Sequence, residues 1–331
     1  MIRLVNRFTL RLFLGVLFAF SGLSFARSLA WSQEAPKALH SEIVGNPVIY
    51  DGDFIWVSSG RSNTVSKVSP GDGKLVGTYA VGEAPRGLAS DGENVWVANS
   101  GDGTVTKLRA SDGATLGVFE AGAKPVSLLV AKGYVWVADH DADAVRKIRV
   151  SDGLSAGIYG VGGSPTALAT DGENIWVLTP ASGSLTKLAA STGATLGNFS
   201  AGDAPSSFVY DGSNLWVASN DHGTVLELST RDCTVLARYQ VSDHASQIVF
   251  DKTNLWVSDS FKIKVFKIRR SDGAILISAS SVGRGQDMAY DGGNLWIADG
   301  SRTYIAKLDG ETGRIISMCG LGPSGPRAGA L

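Results

Sequence analysis

Two cysteines in 331 residues, together with only ten prolines and three methionines, remove several architectures at the outset. Two thiols cannot build a disulfide-stapled scaffold, and a domain of about 300 residues has core enough to stand without one. Charge of one sign is also missing. The 30 lysines and arginines nearly cancel the 31 aspartates and glutamates, so there is no basic footprint for nucleic acid. Beyond the N-terminus no apolar run is long enough to span a bilayer. No 3.6-residue periodicity marks amphipathic helices. Zinc-ligand spacing, a phosphate loop and a Gly-x-Ser-x-Gly elbow are absent as well. What the chain has in quantity is glycine, 41 residues of it, which suits many short strands joined by tight turns.

The first thirty residues differ in kind from the rest. Arg3, Arg7 and Arg11 precede an apolar run over 12–20, and Ser24-Phe25-Ala26 and Ser28-Leu29-Ala30 follow as small-x-small cleavage sites. That order is the pattern of a secretory signal peptide. The stretch 12–26 is shorter than the roughly 20 residues of a membrane anchor. The expectation is export to the periplasm or beyond, with cleavage after Ala26 or Ala30, the latter preferred, and no membrane span in the mature chain.

Tryptophan sets the period. Trp56, Trp96, Trp136, Trp176, Trp216, Trp256 and Trp296 fall at intervals of 40 residues without slip. Each sits in one phrase, such as Asp91-Gly92-Glu93-Asn94-Val95-Trp96-Val97 or Asp211-Gly212-Ser213-Asn214-Leu215-Trp216-Val217. Within a repeat, 87–90 reads as an inner strand A, 91–94 as a tight Asp-Gly turn, and 95–98 as strand B. Residues 104–109 then read as strand C and 114–121 as strand D. Four short strands per repeat of about 40 residues is a propeller blade. The fold class is therefore all-β, a seven-bladed β-propeller of four antiparallel strands per blade. Its span is 45–320, after a signal peptide at 1–30 and a segment at 31–44, and before a tail at 321–331 expected to be disordered. Because strand side chains alternate faces, each blade is apolar on both sides, and a closed ring covers every face. The tryptophans are accordingly structural.

Lys67, Lys107, Lys147, Lys187, Lys267 and Lys307 recur in strand C, with Glu227 in the fifth copy. Toward the outside of each blade, they are expected to lay their stems on the sheet and reach turn aspartates. Cys233 and Cys319 fall in blades five and seven, too far apart for a bridge, and are expected as free thiols. Strand D of the last repeat can complete blade seven alone, with residues 40–44 as a further edge strand.

Function is expected where the repeats differ. In a propeller the D–A and B–C loops share one face around the channel mouth, and variation grafted on a uniform scaffold is where binding lives. That face carries Ser59, Asn99, Asp139, Thr179, Ser219, Asp259 and Asp299 after strand B. It carries Arg86, Val126, Thr166, Ser206, Ser246 and Gln286 before strand A. Arg86, Asp139, His140, His244, Asp259, Arg284, Gln286 and Asp299 are the candidate ligand-binding residues, with His222 a further polar neighbour. No catalytic residue and no metal site is assigned. The run Asp139-His140-Asp141-Ala142-Asp143 has the alternating carboxylates of a calcium loop, but it lacks the following glycine, and Val150 replaces the closing glutamate. A histidine–aspartate pair such as His244 with Asp259 is the weaker catalytic reading.

Trp96-Val97-Ala98-Asn99-Ser100-Gly101-Asp102-Gly103-Thr104-Val105, preceded by Val81-Gly82-Glu83-Ala84-Pro85, resembles the YVTN-type β-propeller repeat, with tryptophan in place of its tyrosine. The resemblance covers 45–320 and implies a bacterial or archaeal protein, often exported or surface-located and without a defined activity. The repeats are also similar to those of virginiamycin B lyase-like propellers. That similarity implies a catalytic histidine before strand A and glutamates after strand B. Here the histidine slot reads Arg86, Val126, Thr166, Ser206, Ser246 and Gln286, and the glutamate slot never holds glutamate. The expectation is a monomeric binding or interaction module without cofactor, meeting a protein or small ligand at the loop face. The alternative is a metal-assisted lyase or lactonase at the same face.

Overall fold

In the computed structural model, residues 47–282, 287–300 and 302–321 are described. They form seven four-stranded antiparallel sheets, each built in chain order. In blade two the strands are Pro85–Ser90, Asn94–Asn99, Thr104–Arg109 and Thr115–Glu120. Two single 3-10 turns, His140–Ala142 and Pro180–Ser182, are the helical elements among these residues. The ring closes where strand A of blade one, Val48–Tyr50, meets strand A of blade seven, Asp287–Tyr290. Blade seven is completed by its own strand Ile315–Gly320, paired to Tyr304–Asp309. Residues 40–44, expected as an extra edge strand, lie outside the described residues, as do the signal peptide at 1–30 and the tail from 322 onward.

Every tryptophan of the repeat is fully buried, and each inserts into the next blade. Trp56 packs on Leu88, Val95, Val97 and Leu108 of blade two, and Trp296 closes the circle on Val48, Ile55, Val57 and Val68 of blade one. Burying roughly 200 Å² of indole is worth about 5 kcal/mol at most. The indole N–H needs a partner in that setting, and the A–B turn supplies one. Asp51, Asp91, Asp171, Asp211 and Asp291 accept from Trp56, Trp96, Trp176, Trp216 and Trp296 at 2.6–3.0 Å. The other oxygen of the same carboxylate shapes the turn, as when Asp91 accepts from the Glu93 and Asn94 N–H at 3.1 and 2.7 Å. The Asp-Gly-x-Asn-x-Trp phrase is thus one hydrogen-bonded unit. Two blades break it: blade three has Ala131 in the aspartate slot, blade six turns Asp251 to Lys267 instead, and neither Trp136 nor Trp256 Nε1 has a partner among the described residues.

The lysines of strand C do not behave as outward, solvated side chains. Lys67 is 2 % exposed and Lys147 3 %. Each ammonium lies over its own blade's tryptophan, 4.8–5.6 Å from the ring centroid, in cation–π contact. Each then crosses to the next blade and donates to carbonyls of its C–D turn. Lys67 reaches Ala110 and Ser111 at 2.6 and 3.0 Å, Lys147 reaches Ala190 and Ser191 at 2.9 and 3.0 Å, and Lys307 reaches Pro70 at 2.7 Å across the ring seam. Lys267 alone of the six also meets a turn aspartate, Asp251, at 2.9 Å. Burial holds the Lys67 and Lys147 ammonium groups below the usual lysine range.

Glu227 replaces this lysine in blade five, and the seam is rebuilt with reversed polarity. Arg270, at the turn position that elsewhere offers a carbonyl, reaches back to the buried Asp211 at 2.7 Å. Glu227 accepts from Asn214 Nδ2 at 2.7 Å. A third link runs along the rim. Tyr79, Phe119, Tyr159, Phe199 and Tyr239 of strand D sit 5.7–6.1 Å from their own tryptophan rings. Tyr79 also lies so close to Gly113 of blade two that a Cβ there would fall 2.0 Å from its ring. In blade five that glycine is Cys233, held at φ 53°. Both cysteines are free and buried, and burial pushes the Cys233 thiol up to about 11.

Replacing the buried ammonium by a chain of similar length and no charge isolates the latch. Lys147→Met is expected to lower unfolding free energy by about 1–3 kcal/mol, because two inter-blade carbonyls lose their donor. Urea unfolding followed by tryptophan fluorescence checks it, and an unchanged midpoint would show the latch to be dispensable.

Candidate functional site

The face bearing the D–A and B–C loops is shaped by where each loop spends its polar side chains. Asp139, the last residue of its strand B, is fully buried and accepts from the Ala123 and Lys124 N–H at 3.1 and 2.9 Å and from Arg146 Nε at 2.9 Å. It pins the D–A loop to strand C. Asp259 is 1 % exposed; its Oδ1 accepts from the Phe261 and Lys262 N–H at 3.0 and 2.8 Å, while its Oδ2 has no hydrogen-bond partner among the described residues. Asp299 accepts from the Thr303 and Tyr304 N–H at 2.7 and 3.0 Å. Asp259 and Asp299 bond the backbone that follows them, as carboxylates at a loop start do, while Asp139 reaches back to the D–A loop that precedes its own hairpin. Among the described residues no three of His, Cys, Asp and Glu come together as a metal-binding group.

The histidines are similarly placed. His140 Nδ1 lies 2.6 Å from Asp141 Oδ1, and this partner holds the Asp141 carboxyl below the usual range. His244 Nδ1 meets the Asn220 carbonyl at 2.9 Å and stacks on Phe261 with ring centroids 4.2 Å apart. His244 and Asp259 share no hydrogen bond. Arg284 and Gln286 lie outside the described residues. The positions before strand A turn inward. Val126 and Ser246 are buried, as are Thr166 and Ser206, whose loop-face character the repeat suggested.

Arg86 is the exception, half-buried at the channel mouth. It sits with Gly87 in a bulge of strand A, where the pairing steps from Pro85–Asn99 to Leu88–Val97. Bulges re-aim side chains, and this one occurs where blades two and three touch backbone to backbone. A Cβ on Gly87 would lie 2.7 Å from Ser127 Cα, so no larger residue fits there. Across the mouth, Asp287 opens strand A of blade seven and pairs with Arg302 Nε at 3.1 Å. Burial pushes the Asp287 carboxyl up, against the opposing pull of the Arg302 and then the Arg86 guanidinium. Asp287 and Arg302 were not among the candidates. The signal was available: at that repeat position the chain reads Gly87, Ser127, Ala167, Ser207, Gln247 and then a lone acid.

Strand A of the blades lines a cavity of about 380 Å³, mostly on the side of blades four to six, with Ile49, Leu129, Ala169, Val209 and Val249 in its wall. The face therefore combines guanidinium groups at the rim, carboxylates that hold loops, and a cavity of mixed polarity without charged side chains among the described residues.

No protein-family model matches the chain, and no curated protein matches it. Solved structures do. The chain is similar to the hydrazine synthase of Kuenenia stuttgartiensis at 14% identity and TM-score 0.71, over 80% of this chain and 96% of that one. A streptogramin B lyase is similar at 14% identity and TM-score 0.66, over 76% and 89%. A functionally unknown protein from Desulfotomaculum acetoxidans is similar at 13% identity and TM-score 0.69, over 80% and 94%. At such identities the likeness is one of fold, the β-propeller.

The Asp287 carboxyl gives a pH test. An acid whose folded value is raised stabilises the fold while protonated, and that contribution is lost as pH rises through the folded value. Asp287→Asn removes the ionisation. The stability of the variant relative to wild type is expected to increase from about pH 4 to pH 7. Urea midpoints at both pH values check it; the opposite trend would mean that the two arginines outweigh burial.

Proposed function

We propose that this chain is an exported, YVTN-type β-propeller that acts as a binding module through the loop face at its channel mouth, without catalysing a reaction. The observation that carries the reading is the fate of the face's acids. Asp139, Asp259 and Asp299 each accept backbone N–H groups of the loops at this face, which stiffens it and commits at least one oxygen of each carboxylate to holding a loop. The loop residues that vary between repeats include Arg86, His140 and His244, with Arg284 and Gln286 at corresponding places in the sequence, a set suited to recognition. The leader at 1–30 supports passage across the inner membrane, and the near-neutral charge argues against nucleic acid as partner.

Two measurements test this. Expressed with its leader, the protein is expected in the periplasmic or extracellular fraction, with a mature N-terminus at Trp31 or Arg27 by mass spectrometry; retention of residues 1–26 would overturn export. The mature protein is then screened by thermal shift against divalent ions, small anions and neutral metabolites. A true ligand at a hundredfold excess over its dissociation constant adds about 2.7 kcal/mol and raises the midpoint by a few degrees. Arg86→Ala is expected to erase that rise, the comparison being made against the variant's own unliganded midpoint because Arg86 also offsets the buried Asp287 carboxylate. Turnover of a lactone or cyclic ester that a chelator abolishes would establish the lyase or lactonase reading instead.

A further inference from the structure

We propose that the channel on the side of blades four to six binds a small uncharged molecule carrying a hydrogen-bond-accepting oxygen such as a carbonyl. This rests on the binding-module reading and gives it a ligand class. The cavity of about 380 Å³ lies within the size range of small-molecule sites. Its wall mixes polar and apolar surface, and none of the described residues lining it is an Asp, Glu, Lys, Arg or His. With no countercharge in the wall, an ion would lose part of its hydration without compensation.

Two polar groups give the site its direction. Gln247 lines the cavity, is 4 % exposed, and accepts the Met288 N–H through Oε1 at 2.7 Å. A backbone N–H only donates, so this contact fixes which end of the amide is oxygen. The Nε2 donors are left with no acceptor among the described residues. Ser207, one blade earlier at the same repeat position, lines the same cavity, and its Oγ likewise has no hydrogen-bond partner among the described residues. Two other hydroxyls of the wall are committed: Ser206 Oγ lies 3.0 and 2.7 Å from the Ala218 and Ala245 carbonyls, and Thr170 Oγ1 donates to the Asn174 carbonyl at 2.8 Å. An amide held rigidly by one end with its donors open to the cavity, and an uncommitted hydroxyl on the same wall, can orient a carbonyl-bearing ligand.

The probe is 6-propionyl-2-(dimethylamino)naphthalene, a neutral aromatic ketone whose emission moves to the blue on leaving water. Wild-type protein is expected to give a saturable, one-to-one blue shift that anionic 2-naphthoate does not displace. Ser207→Ala, which removes only a hydroxyl, is expected to weaken binding roughly three- to tenfold. Ala169→Phe, which fills the cavity, is expected to abolish it, with thermal midpoints confirming that both variants fold; if Ala169→Phe does not fold, Ser207→Ala decides. No saturable shift in wild type, affinity unchanged by the variants, or equal binding of naphthoate would overturn the proposal. A loop-face ligand that still raises the wild-type midpoint through Arg86 would in that case leave the binding-module reading standing.

Discussion

The insertion of each blade's tryptophan into the next blade is the contact on which the rest of the ring depends. A four-stranded sheet that is apolar on both faces cannot remain in water, and one indole per blade covers one face of its neighbour. Covering all seven faces requires the last blade to find the first, which Trp296 does on Val48, Ile55 and Val57. In five of the blades the turn aspartate answers the one polar atom of the indole, so there the largest buried side chain brings little polar penalty with it. The lysine then lies over the indole face and ties the outer turn of the next blade. Core, turn and rim are joined around one ring system.

Much of this organisation was legible in the repeat. Seven tryptophans at constant spacing, Asp-Gly turns and short alternating strands specified blade number and strand order, and the sheets follow them closely. The lysines were misread for a physical reason. Strand alternation says which face a side chain takes, but not that the next blade's C–D turn covers that face. An ammonium on a long stem looks solvated until the carbonyls that receive it are placed opposite. The aspartates of Asp-Gly were read for their backbone preference alone, because the indole five residues on is close only once the hairpin has formed.

The loop face was harder to read, and for the opposite reason. Asp139, Asp259 and Asp299 are aligned in the repeat and look like a ring of acids, yet each is spent on loop N–H groups, those just after it for Asp259 and Asp299 and those of the preceding D–A loop for Asp139. Asp287 opens strand A of blade seven and Arg302 sits in its B–C loop, while Gln247 and Ser207 lie on strand A of different blades. Neither pair shares a motif; the first meets within one folded blade, and the second lines one cavity because strand A of successive blades faces one channel. Asp287 does stand out once the six aligned residues at its position are written together.

Glu227 and Arg270 carry a consequence for assembly. Seven near-identical units in one chain offer many wrong neighbours during folding, and repeat proteins are prone to such exchanges. Six seams are joined by a lysine meeting a carbonyl, a contact any copy can make with any other. The seam between blades five and six instead pairs Arg270 with the turn aspartate Asp211 of the one blade whose strand C carries Glu227 in place of lysine, and a copy bearing Lys67 or Lys147 opposite Arg270 would set two cations face to face. That single inverted joint works as an address label, counting the blades from within and fixing which sheet stands beside which before the circle shuts.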